Sequence, residues 1–271
     1  MTGKHRGRLT REGIRIHEAA DFAGMHKAGE LAARILDEIA DQVFVGQSTG
    51  SIDKLIEDKV NEAGAKSATI GYKGYRHASC ISVNHVVCHG IPGEKLLKDG
   101  DILNVDVTVI VDGWFGDTSR MYVAGKLSRK AERLIQITHD SLMKGIEAVK
   151  PGNTFGDIGH AIQSFVEAHR MSVVRDFCGH GLGRVFHAPP NVLHYGRAGT
   201  GPVLEEGMFF TIEPMVNLGR PETKVLADDW TAVTRDKSLS AQFEHSIGVT
   251  ATGAEIFTLS PAGRFHPTWG A

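Results

Sequence analysis

Apolar and polar residues change places along this chain with two different periods, and the switches between them mark its elements. Through NVDVTVI (104–110) the alternation has a period of two, the pattern of a strand with one face buried. Asp112-Gly113 follows, the strongest short hairpin signal because a type I′ turn needs positive φ at both central residues. Those two as the turn put Thr108 opposite Asp117 and place Asp106 on the same face, since strand side chains repeat every two residues. The spacing predicts two carboxylates as diagonal neighbours, whose like charges raise one pKa unless a cation or donor intervenes.

Helical spacing appears elsewhere. Ala28, Leu31, Ala32, Ile35, Leu36 and Ile39 predict a first helix, with Thr10 as the candidate cap. Ser51 is expected to start a second, with Ile52, Leu55, Ile56 and Val60 inward and Gly64 ending it. From Ser128 the pattern restarts with Leu134, Ile135, Leu142, Ile146 and Val149, then Ile158, Ile162 and Val166. Shifted by 106 positions, Gly46, Gly50, Ile52, Ile56 and Val60 fall on Gly152, Gly156, Ile158, Ile162 and Val166. This predicts two α+β halves, about 10–127 and 128–260, related by a pseudo-two-fold axis, within one domain spanning 10–271. A site between such halves is the natural pocket. Residues 1–9 are expected to be a flexible tail, and 188–207 a loop.

Composition changes this picture little. The 271 residues carry a net charge of −2 with 14 neutral histidines, which gives no electrostatic case for binding nucleic acid. No apolar run has the length of a membrane span. Three cysteines, Cys80, Cys88 and Cys178, are too scattered for a disulfide framework and fit a reducing cytoplasm. A monomer is the default expectation.

The chemistry lies in ionisable residues placed where an apolar one would serve packing. Asp106 sits between two valines, Glu213 interrupts FFTI–PMV, Glu244 interrupts another apolar strand, and His180 is pinned between Gly179 and Gly181. With Asp117 these make four carboxylates and one imidazole. Four buried negative charges need neutralising, and two divalent cations held by bridging carboxylates would do it. Oxygen ligands with one nitrogen suit Mn²⁺, Fe²⁺ or Co²⁺.

CHGIP, NVDVTVI, GDTS, CGHGLG, FTIEPM and SAQFEHSI, in this order, resemble the bacterial type I methionine aminopeptidases from about residue 10 to 260. The resemblance implies the pita-bread fold, an α+β arrangement in which two halves of antiparallel sheet, each backed by a helix pair, enclose a dinuclear metal centre. It implies that Asp106 binds one metal, that Asp117 and Glu244 bridge both, and that His180 and Glu213 complete the other shell. Glu213 would also relay a proton. His89 matches the histidine that contacts the substrate's amide nitrogen, and His187 the one that contacts the scissile carbonyl. Tyr72, Tyr75, Cys80, Phe186 and Trp230 match the methionine pocket. Carbonyl groups of Asn84, Val86 and Ser240 match a site for Na⁺ or K⁺. Four positions depart from the usual pattern: Thr69, Arg76, His77 and His85. The implied activity is removal of the initiator methionine from nascent proteins whose second residue is small, with transient ribosome association. An X-Pro or proline-dipeptide peptidase, and an inactive binding module of the same fold, are the alternatives.

Overall fold

In a computed structural model that describes residues 7–264, four helices stand behind four antiparallel sheets. Helix α1 (Ala19–Glu38) starts later than the sequence suggested. Its cap is Glu18, which shares a capping box with Asp21, and not Thr10. The Thr10 hydroxyl instead accepts from the N–H groups of Glu12 and Ile14, closing a turn. That turn is held in place because Ile14 is buried and Ile16 bridges to Met208, so the chain cannot coil there. Of the tail expected at 1–9, residues 1–6 lie outside the described residues, and Leu9 pairs with Arg15.

Helix α2 (Thr49–Glu62) is capped by Ser48, whose hydroxyl accepts from Ser51 N–H at 3.1 Å. Ser51 is thus the third residue of the helix, not its cap. Gly64, with φ of 67°, follows its end. Helix α3 (Arg129–Glu147) follows Ser128, whose hydroxyl accepts from Ala131 N–H, and helix α4 (Phe155–Ala168) follows Thr154, which shares a capping box with Asp157. Both bounds of α4 fall 106 residues after those of α2, and Gly46 and Gly152 share a φ of 90°. The repeat read from five positions is therefore a repeat of conformation.

The predicted hairpin forms between Asp101–Val111 and Trp114–Ala124, with Thr108 opposite Asp117. Asp112 and Gly113 take φ of 51° and 81° at its tip, the positive values a type I′ turn requires. Ser79–Val83 and Lys66–Ser67 flank it in an antiparallel sheet. Ile52, Ile56, Leu103, Val105 and Val107 bury the space between this sheet and helices α1 and α2. Each such side chain stabilises the half by about 1.5–3 kcal/mol on full burial. Gly116 lets α1 come close, since a Cβ there would stand 2.2 Å from the Ala28 carbonyl oxygen.

The second half pairs Ala254–Ile256, His245–Val249, Phe209–Ile212, Gly179–Gly181 and Ala188–Val192 in one antiparallel sheet. Its core joins Leu134, Ile135, Ile158, Ile162, Phe210, Ile212 and Ile247. Ala188–Val192 corrects the expected loop: Pro189 and Pro190 lie in an edge strand, where a missing N–H faces no partner. Two three-stranded sheets complete the fold: Ser240–Gln242 with Met215–Asn217 and Ser172–Val173, and Val86–Cys88 with Ala232–Thr234 and Thr223–Val225. The last joins the halves, as does the bridge between Ser119 and Glu244. Among the described residues no helix is long and apolar enough to cross a membrane.

Candidate metal centre

The hairpin delivers its carboxylates to the floor of a cavity of about 730 Å³ between the halves. Asp106 and Asp117 both line it. Thr108, across from Asp117, donates to Asp117 Oδ1 at 2.6 Å and leaves Oδ2 pointing toward His180, whose Nε2 lies 3.5 Å away. His180 is fixed from behind: its backbone N–H donates to Thr211 Oγ1 at 3.0 Å. The same Thr211 hydroxyl donates to Glu213 Oε1 at 2.8 Å, so one threonine holds two of the five candidate ligands.

Glu213 and Glu244 share a structural circumstance. Each stands where one strand ends and another sheet begins, Glu213 between Phe209–Ile212 and Met215–Asn217, Glu244 between Ser240–Gln242 and His245–Val249. The ladder lapses at such a switch, freeing the side chain to aim into the cavity and leaving the backbone N–H to find another acceptor. Glu244 N–H donates to Ser119 O at 3.1 Å. Glu213 N–H donates to the imidazole Nε2 of buried His194 at 3.0 Å. Gln242 Nε2 adds a 3.3 Å contact to Glu213 Oε2.

Ligand atoms of Asp117, His180 and Glu244 all lie within 4.8 Å of one another, close enough to share an ion. The electrostatics call for one. Burial, then the charges of Asp117 and Glu213, push Asp106 well above the usual carboxylate range. Burial and Asp117 do the same to Glu244. Glu213 is raised to about 7 by burial, despite the nearby His180. Burial alone would lower His180, but its hydrogen bond to Asp117 and the charge of Glu213 carry it up to about 9. Four carboxylates beside one imidazole are thus short of positive charge, and the all-oxygen-plus-one-nitrogen donor set fits divalent cations.

Two further histidines face the cavity in a different state. His187 is lowered to about 4, by burial and then by the positive His180, whose ring centroid is 4.2 Å away. His89 is lowered by burial. Both are neutral at pH 7, able to give or take a hydrogen bond. His89 holds a φ of 56°, unusual outside glycine and characteristic of functional positions. Its ring stands edge-on to Phe177 and Trp230.

All five expected pocket residues line this cavity, in two groups. Tyr75 and Trp230 pack 4.9 Å apart beside buried Cys80, whose thiol is pushed up by burial and the charge of Asp106. Tyr72 meets Phe186 at 5.0 Å and stacks on His187 at 5.2 Å. Thr69 also lines the wall, donating to His77 O at 2.7 Å, while His77 pairs with Asp53 outside it. Asn84, Val86 and Ser240 lie apart from the cavity lining. Ser240 N–H donates to Asn84 O at 2.9 Å, and Val86 pairs with Val233.

Several contributors escape sequence reading. Phe177 and Met215 line the cavity, and Thr211, Gln242 and His194 each hydrogen-bond to Glu213. Period two gave a signal for two of them: Thr211 precedes Glu213 by two, as Gln242 precedes Glu244. No local signal marks His194.

The peptidase family M24 model matches residues 23–251. The methionine aminopeptidase of Rickettsia prowazekii is 56% identical over 257 residues, 94% of this chain and 99% of its own. That of Escherichia coli K12 is 54% identical over 91% of this chain and 94% of its own. A crystal structure of the Rickettsia prowazekii methionine aminopeptidase superposes with a TM-score of 0.90 at 57% identity, covering 91% of this chain and all of that one.

Proposed function

From the premise that this chain belongs to metallopeptidase family M24, and within it to the bacterial type I methionine aminopeptidases of pita-bread fold, we propose how its residues divide the work. The chain is a metal-dependent aminopeptidase that removes the N-terminal methionine from proteins. Asp106, Asp117, His180, Glu213 and Glu244 would hold two divalent cations, Asp117 and Glu244 bridging. The observation that carries this is the lining of one cavity by all five, with Asp117, His180 and Glu244 within 4.8 Å of one another. When bound, such cations supply an acidified water and polarise the scissile carbonyl.

The protein's own groups do the rest. Glu213 accepts the proton of the attacking water, a role open to a carboxylate lining the cavity beside the other candidate ligands. Neutral His187 donates to the oxygen on which charge develops, the kind of stabilisation that usually contributes most. His89 meets the substrate's amide nitrogen. Tyr72, Tyr75, Cys80, Phe186 and Trp230 receive the methionine side chain, whose polarisable thioether packs well on aromatic faces. By its likeness to the methionine aminopeptidases, the chain is proposed to favour a small second residue.

The carbonyl groups of Asn84, Val86 and Ser240 are proposed to hold one Na⁺ or K⁺; the hydrogen bond from Ser240 N–H to Asn84 O brings two of these residues together. The enzyme is proposed to work as a cytoplasmic monomer on nascent N-termini, in transient contact with the ribosome. Methionine release from a Met-Ala-Ser peptide, with and without chelator and with Mn²⁺, Fe²⁺ or Co²⁺ restored, tests the assignment. Release is expected only with metal; full activity in a demonstrably metal-free preparation would overturn it.

A further inference from the structure

The backbone of Glu213 presents an accounting problem that one side chain solves. Its N–H lies at a switch between sheets, the next residue is Pro214, and no backbone carbonyl takes the bond. His194 takes it, through Nε2 at 3.0 Å. The imidazole is wholly buried, and its Nδ1 meets no hydrogen-bond partner among the described residues. A buried polar atom left unpaired is destabilising, so a leucine would pack this place at less cost. What a leucine lacks is the acceptor.

The position of His194 adds a second consequence. It lies two residues beyond the strand Ala188–Val192, and His187 immediately precedes that strand. Through His194 the cavity wall that begins at His187 is bonded to the ligand Glu213.

We propose that His194 is a positioning residue of the metal centre, setting the backbone of Glu213 and registering it against the His187 wall. This rests on reading Glu213 as a ligand. It touches neither substrate nor cation and acts only through Glu213.

The test compares His194→Leu with His194→Gln, whose carboxamide oxygen can take the same N–H, and runs Glu213→Ala alongside. Mn²⁺ binding to the metal-free chain is measured by calorimetry, and kcat and KM for Met-Ala-Ser peptide at saturating Mn²⁺. His194→Leu is expected to weaken Mn²⁺ binding by about 10–100-fold, the range for losing an outer support of a ligand. KM at saturating metal should stay within about twofold, and His194→Gln should recover most of the affinity. An affinity of His194→Leu within about twofold of the unaltered chain, or no recovery in His194→Gln, overturns the proposal. Nitrogen NMR of the unaltered chain decides the matter even where a variant fails to fold. A bare, accepting Nε2 with the proton on Nδ1 supports the proposal, and a protonated Nε2 refutes it. If Glu213→Ala weakens Mn²⁺ binding and His194→Leu does not, the role of His194 falls alone. If neither does, the ligand assignment of Glu213 falls first.

Discussion

Thr108 and Asp117 face each other across the hairpin, and the threonine hydroxyl donates to Asp117 Oδ1 at 2.6 Å while Asp117 Oδ2 looks toward His180. One carboxylate oxygen is thus oriented by a rigid β-branched neighbour on its own sheet, and the other is free for a cation. Thr108→Val keeps the shape and removes the donor. It should weaken divalent-metal affinity by about tenfold or more. Asp117→Ala and Glu244→Ala should lose essentially all turnover while the metal-free chain still unfolds cooperatively on heating. Turnover near that of the unaltered chain in either alanine variant would mean that the bridges lie elsewhere.

Metal affinity should rise with pH. Without metal, Glu213 titrates near 7 and His180 near 9, so both carry protons that a cation must displace. Lowering the pH from 9 to 6 therefore weakens binding, and calorimetry in buffers of different ionisation heat should register proton release. The sign for stability is opposite. Both folded-state values lie above the unfolded ones of 4.5 and 6.5, so their contribution is present at lower pH and lost as pH rises through 7 and 9. The metal-free chain should lose thermal stability between pH 7 and 9. A flat affinity across this range would contradict the ligand assignment.

His89 and His187 should act on the reacting amide and not on the metal. Burial keeps both neutral, and neither belongs to the close trio of Asp117, His180 and Glu244. Replacing either by Ala should lower kcat by about 10²–10³, the range for losing one such donor, with metal content unchanged. Metal loss from His89→Ala, with kcat restored on remetallation, would reassign that residue to the ligand set.

Discrimination at the first residue should follow desolvation. Tyr75, Trp230, Cys80, Tyr72 and Phe186 are themselves uncharged, so a Lys or Glu side chain packed among them would lose hydration that an apolar side chain does not have. Norleucine should be distinguished only moderately, by about 1–3 kcal/mol, since apolar pockets separate isosteres weakly. Comparing kcat/KM for peptides beginning Met-Ala, Met-Lys, Leu-Ala and Lys-Ala measures both ends. Equal cleavage of Lys-Ala and Met-Ala would make this a general aminopeptidase.

What could be read from the chain, and what could not, divides along a physical line. The Asp112-Gly113 turn, the Thr108–Asp117 register, the Ser128 cap and the 106-residue repeat are local or periodic, and all appear in the structure. Thr10 and Ser51 were misread as caps because a hydroxyl before an apolar run is ambiguous by several residues. Where the helix starts was decided by contacts from afar, with Ile14 buried in the core of the other half. The five candidate ligands were legible as charges out of place, and all five line one cavity. Of the residues bonded to Glu213, Thr211 and Gln242 carried only the faint mark of period two, and His194 carried none, because a polar residue in a core looks ordinary until its partner is known.

The trio of Asp117, His180 and Glu244 draws on both sides of the repeat, one ligand from the first half and two from the second. Any ion they hold would be a reversible staple added to the sheet and core contacts that already join the halves. Its strength is not fixed by the fold. It grows with the logarithm of the free-ion concentration over Kd, about 2.7 kcal/mol at a hundredfold excess. How firmly such an ion would tie the first half to the second therefore depends on its free concentration as well as on the sequence.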